Sequence, residues 1–359
     1  MSEIQLHLVV ALAGSFAGIA FGALAQRTNF CTMGAISDAI VMDDMRRLRA
    51  WVAAIAVAIL GANALHATGT VDLRSSIYLT PNLGWLGAVV GGAVFGFGMV
   101  LAGGCGNKSL VRAGSGNLKS VVVLILLGIS AYATLRGIVG AARVASWERT
   151  NLDLRGLGFV NQGLPELLGV SRAMLAALLG GALLAWCFKD RAFRASARDV
   201  AAGLGIGALI VAGWAITGVL GKDDFESTPL ASFTFVAPVG DALVYLMFWT
   251  GTKITFGVAT VAGVLLGAGL AAKAAREWRL ESFRDAGDFL RNATGGLMMG
   301  VGGVSALGCT VGQGLTGIST LAVGSFLALA GIAAGAVLAL KYLEEGSLAG
   351  AIKALTARG

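Results

Sequence analysis

The sequence predicts an all-α polytopic membrane protein, on the evidence of its composition, its long apolar stretches and the distribution of its basic residues. Of its 359 residues, 56% are apolar and only 13% are charged, and the mean hydropathy is +0.79. A soluble protein carries about a quarter of its residues as charged types. The chain therefore has too few polar groups to cover a surface in water, and lipid is the solvent that fits it.

About nine apolar stretches are long enough to cross the ~30 Å hydrocarbon core of a bilayer. The predicted spans are 4–26, 50–66, 83–103, 118–136, 173–188, 200–220, 252–272, 289–307 and 318–342. Four shorter segments adjoin these spans with little room for a polar loop, which predicts short re-entrant helices. These segments are 32–42, 106–114, 239–249 and 310–317.

The basic residues predict how the chain lies in the membrane. With these crossings, 19 of the 27 Lys and Arg residues fall on one side. Because basic residues concentrate in cytoplasmic loops, this places the N-terminus in the periplasm and the C-terminus in the cytoplasm. The net charge of +7 is therefore explained by the orientation of the chain in the membrane, and it does not indicate a nucleic-acid partner.

An internal repeat is visible at an offset of about 204 residues. Residues 91–115 and 295–319 match at nine of 25 positions, and the matches include Cys105 with Cys309. At offset 203, residues 29–40 lie against 232–243, where Cys31 aligns with Thr234.

The repeat predicts a two-fold architecture of opposed halves. Residues 1–140 form the first half, 200–359 form the second, and 141–199 supply an outer loop and a linking span. Because four spans plus one is an odd number, the second half enters the membrane from the opposite side. Inverted-topology repeats are typical of transporters, which bind their solutes near the midplane between the halves.

Three of the four cysteines are candidate substrate contacts. Cys31, Cys105 and Cys309 each stand beside a predicted helix break, which must be buried in protein or line an aqueous cavity. A thiol is a weak hydrogen-bond donor and a polarizable group, which suits a substrate sulfur atom. Thr234 aligns with Cys31 and is predicted to line the same path. Cys187 lies within an ordinary apolar span, which favours a structural role.

Five polar residues surround these cysteines in the sequence. Arg27, Lys108 and Arg112 are predicted either to attract an anion or to anchor the cytoplasmic helix ends. Asn107 and Gln313 begin short segments and are predicted to cap them or to line a cavity.

Other ionisable residues have simpler interpretations. Asp38 and Asp241 occupy equivalent repeat positions and are predicted to pair with arginine. His7 and His66 lack metal-ligand spacing, and the GxGxxG-like strings lie in apolar spans rather than after strands. The sequence therefore predicts no metal site, no cofactor and no catalytic residue.

At these residues the chain resembles the YeeE/YedE family of bacterial sulfur-compound transporters, over nearly its full length. The motifs are Gln26-Arg27-x-x-Phe30-Cys31, Gly104-Cys105 with Leu110-x-Arg112-x-Gly114, Ser232-Phe233-Thr234-Phe235, and Gly308-Cys309-x-x-Gly312-Gln313-Gly314.

The resemblance implies thiosulfate uptake across the bacterial inner membrane. It implies that the anion passes intact along Cys31, Cys105 and Cys309 by S–H···S hydrogen bonds, and that a small cytoplasmic sulfur-carrier protein is the partner. Some members of the family are linked with selenium or with other sulfur species, which are alternative substrates.

A second alternative is a membrane sulfurtransferase that forms a Cys persulfide. It would need an activated thiolate, which Lys108 near Cys105 offers. The prediction is a transporter rather than an enzyme.

Overall fold

The computed structural model describes residues 3–222 and 228–356, and most of these residues are helical. Sixteen α-helices occur in these ranges. They are α1 (Glu3–Thr28), α2 (Thr32–Val41), α3 (Arg46–Ala67), α4 (Gly92–Leu101), α5 (Gly106–Gly114), α6 (Leu118–Leu135), α7 (Ile138–Ala145), α8 (Leu164–Leu168), α9 (Arg172–Lys189), α10 (Arg191–Ala195), α11 (Ala197–Ala215), α12 (Val236–Met247), α13 (Phe256–Ala274), α14 (Ala286–Ser305), α15 (Val323–Glu345) and α16 (Leu348–Thr356). The described strands are β1 (Asn82–Leu83) and β2 (Leu152–Asp153), which pair antiparallel.

Eight helical segments in the described part of the chain are long and apolar enough to cross a membrane. They are Leu6–Val41, Arg46–Ala67, Gly87–Gly114, Leu118–Leu135, Arg172–Lys189, Ala197–Leu220, Phe256–Ala274 and Val323–Glu345. About nine spans were predicted. The predicted span that falls short is α14, which begins with the polar residues Asp288, Arg291 and Asn292 and nevertheless packs against α4 and α6. The prediction of an all-α polytopic membrane protein is confirmed.

A short helix of residues 310–319, named here the Cys309 helix, precedes α15, and its turns at Gly312–Gly317 are π-helical. Because this helix takes up residues 318 and 319, α15 begins at Val323 rather than at the predicted residue 318. Similarly, α13 begins at Phe256 rather than at 252. The Thr255 hydroxyl caps it by accepting a hydrogen bond from the Val258 N–H at 3.3 Å.

Glycine lets the long helices approach until their backbones touch. A Cβ at Gly96 of α4 would collide with the Ile332 carbonyl of α15, and a Cβ at Gly300 of α14 would collide with the Leu127 carbonyl of α6. Small residues at such crossings are how membrane helices pack closely where lipid supplies no hydrophobic drive.

These crossings repeat along the chain. Gly96 and Gly300 are 204 positions apart, and their partners Leu127 and Ile332 are 205 apart. The helix pairs follow the same pattern: α1 packs on α13 as α11 does on α3, and α4 packs on α15 as α14 does on α6. Exchanging the two halves of the chain leaves this set of pairs unchanged.

Candidate functional site

The chain makes the same turn before each of three cysteines. Two positions upstream of Cys31, Cys105 and Cys309, the residue is left-handed: Asn29 has φ 54°, Gly103 has φ 68° and Leu307 has φ 59°. The next residue donates its N–H to the carbonyl five positions earlier, over 2.7 to 3.1 Å. Left-handed backbone with this 6→1 hydrogen bond is the Schellman ending of a helix.

Each of the three cysteines then stands at the N-terminus of a short helix. Cys31 precedes α2, Cys105 precedes α5, and Cys309 precedes the Cys309 helix. The Cys309 sulfur accepts a hydrogen bond from the Gly312 N–H at 3.3 Å. The other two sulfurs are directed at the corresponding N–H, three residues on, without the geometry of a cap hydrogen bond. The three side chains are at most 5% exposed, so these helix breaks lie inside the protein.

Two of these thiols and one hydroxyl lie next to one another. The Cys31 thiol lies beside the Cys105 thiol, and the Cys105 thiol faces the Thr310 hydroxyl. Thr310 is fully buried and directly follows Cys309. Two short helices from the first part of the chain and one from the second thus bring these weak, polarizable hydrogen-bonding groups together.

Residues 228–235 run without regular secondary structure beside the Cys309 helix. The Thr316 hydroxyl donates to the Phe233 carbonyl at 2.6 Å, and a Cβ at Gly312 would collide with the Thr234 hydroxyl. Phe233 stacks on Phe21 with the ring centroids 5.1 Å apart, which fixes the segment from its other side. The structure therefore places half-buried Thr234 next to the helix that carries Cys309.

Lys108 and Arg47 hold the turn before Cys31. Lys108 Nζ donates to Asn29 Oδ1 at 2.5 Å, and Arg47 donates to the Asn29 carbonyl at 3.0 Å. Arg47 also pairs with Asp38 at 2.7 Å, which is the arginine pairing predicted for that aspartate. Two cations thus stand beside the first thiol, and the sequence had singled out only Lys108 of the two.

The other predicted basic and amide residues take different places. Arg112 donates to the Gly103 carbonyl at 2.8 Å and so braces the turn before Cys105. Arg27 lies exposed in the last turn of α1. Asn107 is 1% exposed, and its Oδ1 has no hydrogen-bond partner among the described residues.

Two spaces in the structure lie near these cysteines. The Cys31 pocket, a space of about 10 Å³, is lined by Cys31, Asn29, Arg47 and Asp199. The Gln313 cavity, of about 300 Å³, is lined by Gln313, the end of α14, the start of α15 and the loops on either side of the β1–β2 ribbon.

The two spaces lie at opposite ends of α3. Arg47, in its first turn, lines the Cys31 pocket, and the loop that follows its last residue, Ala67, lines the Gln313 cavity. The 22 residues of α3 are about 33 Å long at 1.5 Å per residue. This length matches the thickness of a bilayer core.

The charged residues in the turn between α2 and α3 pair locally. Arg46 donates to Asp44 at 2.6 Å, in the turn between α2 and α3. This hydrogen bonding lowers the pKa of Asp44 to about 2, so the carboxylate stays ionised throughout the physiological pH range.

Cys187 and Asp241 lie apart from the three cysteines at the helix breaks. The Cys187 thiol donates to the Arg49 carbonyl at 3.3 Å, between α9 and α3. Asp241 lies near the Tyr132 hydroxyl and within electrostatic reach of Arg136. Residues 3–222 and 228–356 contain no group of three His, Cys, Asp or Glu side chains that could hold a metal ion.

Multiple membrane-spanning helices with buried polar helix breaks are typical of membrane proteins that carry a small solute. Comparison with known proteins names the class more closely. The family model described as Sulphur transport matches residues 27–338, and the chain belongs to this family. The resemblance in the motifs is thereby confirmed.

Relatives match over most of the chain. The thiosulfate transporter TsuA of Spirochaeta thermophila is 27% identical over 325 residues, which is 88% of this chain and 93% of the relative. TsuA of Escherichia coli is 26% identical over 85% of this chain and 86% of its own length. The probable transporter YedE of Salmonella typhimurium is 30% identical over 139 residues, 38% of this chain and 32% of the relative. The protein is a membrane transporter of sulfur compounds and not an enzyme.

Proposed function

We propose that the protein imports thiosulfate across the bacterial inner membrane along Cys31, Cys105 and Cys309. The observation that carries this proposal is the burial of all three cysteines at helix breaks, where the Cys31 thiol lies beside the Cys105 thiol and the Cys105 thiol faces the Thr310 hydroxyl beside Cys309. The names of the two TsuA relatives support thiosulfate as the substrate. Each thiol donates one weak hydrogen bond to the terminal sulfur of the anion, which passes from thiol to thiol without being broken.

The electrostatics of the path suit an anion. Burial of a dianion away from water is very costly unless opposite charge or hydrogen-bond donors receive it. The three thiols stand at helix N-termini, where the backbone N–H groups carry partial positive charge. Lys108 and Arg47 add full charges beside Cys31. Several weak sites in series bind strongly enough for entry and weakly enough for release.

The direction of transport follows from the predicted orientation. With the N-terminus in the periplasm, the Gln313 cavity faces the periplasm and the Cys31 pocket faces the cytoplasm. The anion enters at the cavity and leaves beside Arg47. A small cytoplasmic sulfur-carrier protein is the partner that receives it there.

The internal repeat accounts for short helices that enter the proposed path from both sides of the membrane. The proposed halves are residues 1–140 and 200–359, joined by 141–199. The exchange symmetry of the helix pairs and the matched glycine crossings support them. In this arrangement α2, α5 and the Cys309 helix are re-entrant and meet from the two sides near the midplane, as in other inverted repeats.

The test is uptake of thiosulfate labelled at the terminal sulfur or at the sulfonyl sulfur, into proteoliposomes that contain only this protein. We expect both labels to accumulate equally, and the protein to restore growth of a thiosulfate-transport-deficient bacterium on thiosulfate as sole sulfur source. Entry of the terminal label alone, with a persulfide on a cysteine, would establish the sulfurtransferase alternative. Entry of selenite or sulfite without thiosulfate would refute the proposed substrate.

Lys108 is expected to contribute to the rate by its charge. Lys108→Met keeps the length of the side chain but removes the cation beside Cys31 and the bond to Asn29. We expect uptake at low thiosulfate to fall about tenfold, the effect of one charge-assisted hydrogen bond. The initial rate of uptake measures this.

Lys273→Met is the matched control. Lys273 is exposed near the end of α13, with its Nζ 6.0 Å from the Trp278 ring centroid. Its loss is expected to leave uptake unchanged. Equal rates for the two variants would show that Lys108 only anchors its helix.

A further inference from the structure

An open cleft lies where α6 reaches the surface of the membrane. The 18 residues of α6 are about 27 Å long at 1.5 Å per residue, close to the thickness of a bilayer core. Arg136 directly follows this helix and therefore lies at the level of the lipid headgroups. It lines the cleft together with Arg143 and Arg149. Helix α7 forms one wall and exposes apolar side chains such as Ile138, as helices in the membrane interface do.

The cleft carries an excess of positive charge. Three arginines and one acidic residue, Glu148, line it. Arg143 is committed to Glu148, with which it forms an ion pair. Arg136 and Arg149 are exposed, and neither forms an ion pair within residues 3–222 and 228–356. Asp241 lies within electrostatic reach of Arg136, so one positive charge remains in excess when this aspartate is counted as well.

An apolar groove lies along the same helix. It has a volume of about 370 Å³, lies between α6 and α12, and is lined on α6 by Ile125, Ile129 and Tyr132. Every lining side chain other than Tyr132 is apolar. Tyr132 precedes Arg136 by four residues, which is about 6 Å along a helix. The groove therefore ends about one helical turn from the basic cleft.

The groove faces the lipid. Ile129 on α6 is 55% exposed and Met247 on α12 is 69% exposed. With 12 residues, α12 is too short to cross the membrane, and it packs closely on α6 at one crossing, where a Cβ at Gly240 would lie 3.2 Å from the Gly128 carbonyl oxygen. A recess of this kind takes up an acyl chain, because an empty one would forfeit the dispersion contacts of its lining.

We propose that the cleft and the groove together bind one anionic phospholipid. Its phosphate contacts Arg136 and Arg149, and one of its acyl chains occupies the groove between α6 and α12. Basic pockets beside membrane helices bind anionic headgroups in this way. The single charge of a phosphodiester matches the excess positive charge of the cleft, whereas a zwitterionic headgroup adds an ammonium group that the arginines repel. The inference does not depend on which solute the protein carries.

The experiment titrates the purified full-length protein in detergent with palmitoyl-oleoyl phosphatidylglycerol or phosphatidylethanolamine and measures bound lipid by native mass spectrometry. We expect one phosphatidylglycerol to bind about tenfold more tightly than phosphatidylethanolamine. Arg136→Gln and Arg149→Gln are each expected to raise the dissociation constant for phosphatidylglycerol about tenfold, the effect of one charge-assisted hydrogen bond. Ile129→Trp fills the groove and is expected to weaken the binding of both lipids at least about fivefold.

Arg155→Gln is the matched control, because Arg155 is also an exposed arginine in the segment between α6 and α9 but lines neither the cleft nor the groove. Its dissociation constant for phosphatidylglycerol is expected to stay within about twofold of the wild-type value. Equal affinity of the unaltered protein for the two lipids would overturn the site, as would wild-type affinity in both Arg136→Gln and Arg149→Gln. Displacement of the lipid by equimolar inorganic phosphate would make the cleft a site for a free anion. Undiminished binding by Ile129→Trp would reject the acyl-chain groove.

Discussion

Replacement of Cys105 or Cys309 by alanine is expected to lower thiosulfate uptake at least about tenfold, the cost of about 1.4 kcal/mol or more at one step of the path. Cys105 is the central member of the proposed path, because its thiol lies beside the Cys31 thiol and faces the Thr310 hydroxyl. Alanine interrupts the series and leaves the anion without a partner in a buried space. Initial rates in proteoliposomes, at equal protein content, measure the effect.

Cys187→Ala is the matched control for these variants. Cys187 is also fully buried, but its thiol donates to the Arg49 carbonyl, between α9 and α3. Its removal is expected to leave the rate within about twofold, since a single neutral hydrogen bond is lost away from the path. Wild-type uptake by both Cys105→Ala and Cys309→Ala would refute the thiol path, although the protein would remain a transporter.

The class of fold was predictable because it depends on quantities that sum along the chain. Hydropathy, span length and the glycine repeat can all be evaluated from the sequence without knowledge of tertiary contacts. Helix α14 was predicted as a span but is not among the eight helical segments that are long and apolar enough to cross a membrane, and it shows the limit of prediction from hydropathy. Its polar first turns are held by contacts such as Lys119 with Asp288, at 2.6 Å, which hydropathy cannot register.

The site was predictable only where a residue marks a helix break. Cys31, Cys105 and Cys309 stood out because each stands beside a predicted helix break. The left-handed Leu307 did not, since this conformation costs a branched side chain about 1–2 kcal/mol and the sequence shows no compensation. Thr310 was missed because it meets Cys105 across the halves, and the repeat aligns it with Gly106, which has no side chain.

The Gln313 cavity was beyond the sequence for a similar reason. Trp147 belongs to the long segment between α6 and α9, and it lines the same cavity as Ser325 and Gln313 only through tertiary packing. Local patterns give a residue its segment and its type, but they do not say which distant segment it faces. Arg47 likewise reads as one of several basic residues at a helix start until the fold brings it to Asn29.

Gly96→Leu and Gly300→Leu are expected to destabilise the protein by similar, large amounts, on the order of 3 kcal/mol each. At both positions a Cβ already collides with a carbonyl of the facing helix, that of Ile332 or that of Leu127. A leucine must therefore separate α4 from α15, or α14 from α6, along their length. Thermal unfolding of the purified protein in detergent, followed by the fraction that remains monodisperse, measures the loss.

Gly181→Leu distinguishes a crossing glycine from one that merely lies in a membrane helix. Gly181 is exposed on α9, and no described atom lies within 4 Å of the position its Cβ would take. Leucine there is expected to change stability by no more than about 0.5 kcal/mol. The comparison also tests the repeat: equivalent crossings should respond alike. A large effect at Gly96 with none at Gly300 would mean that the two halves do not share their packing, and the proposed two-fold relation would fail with it.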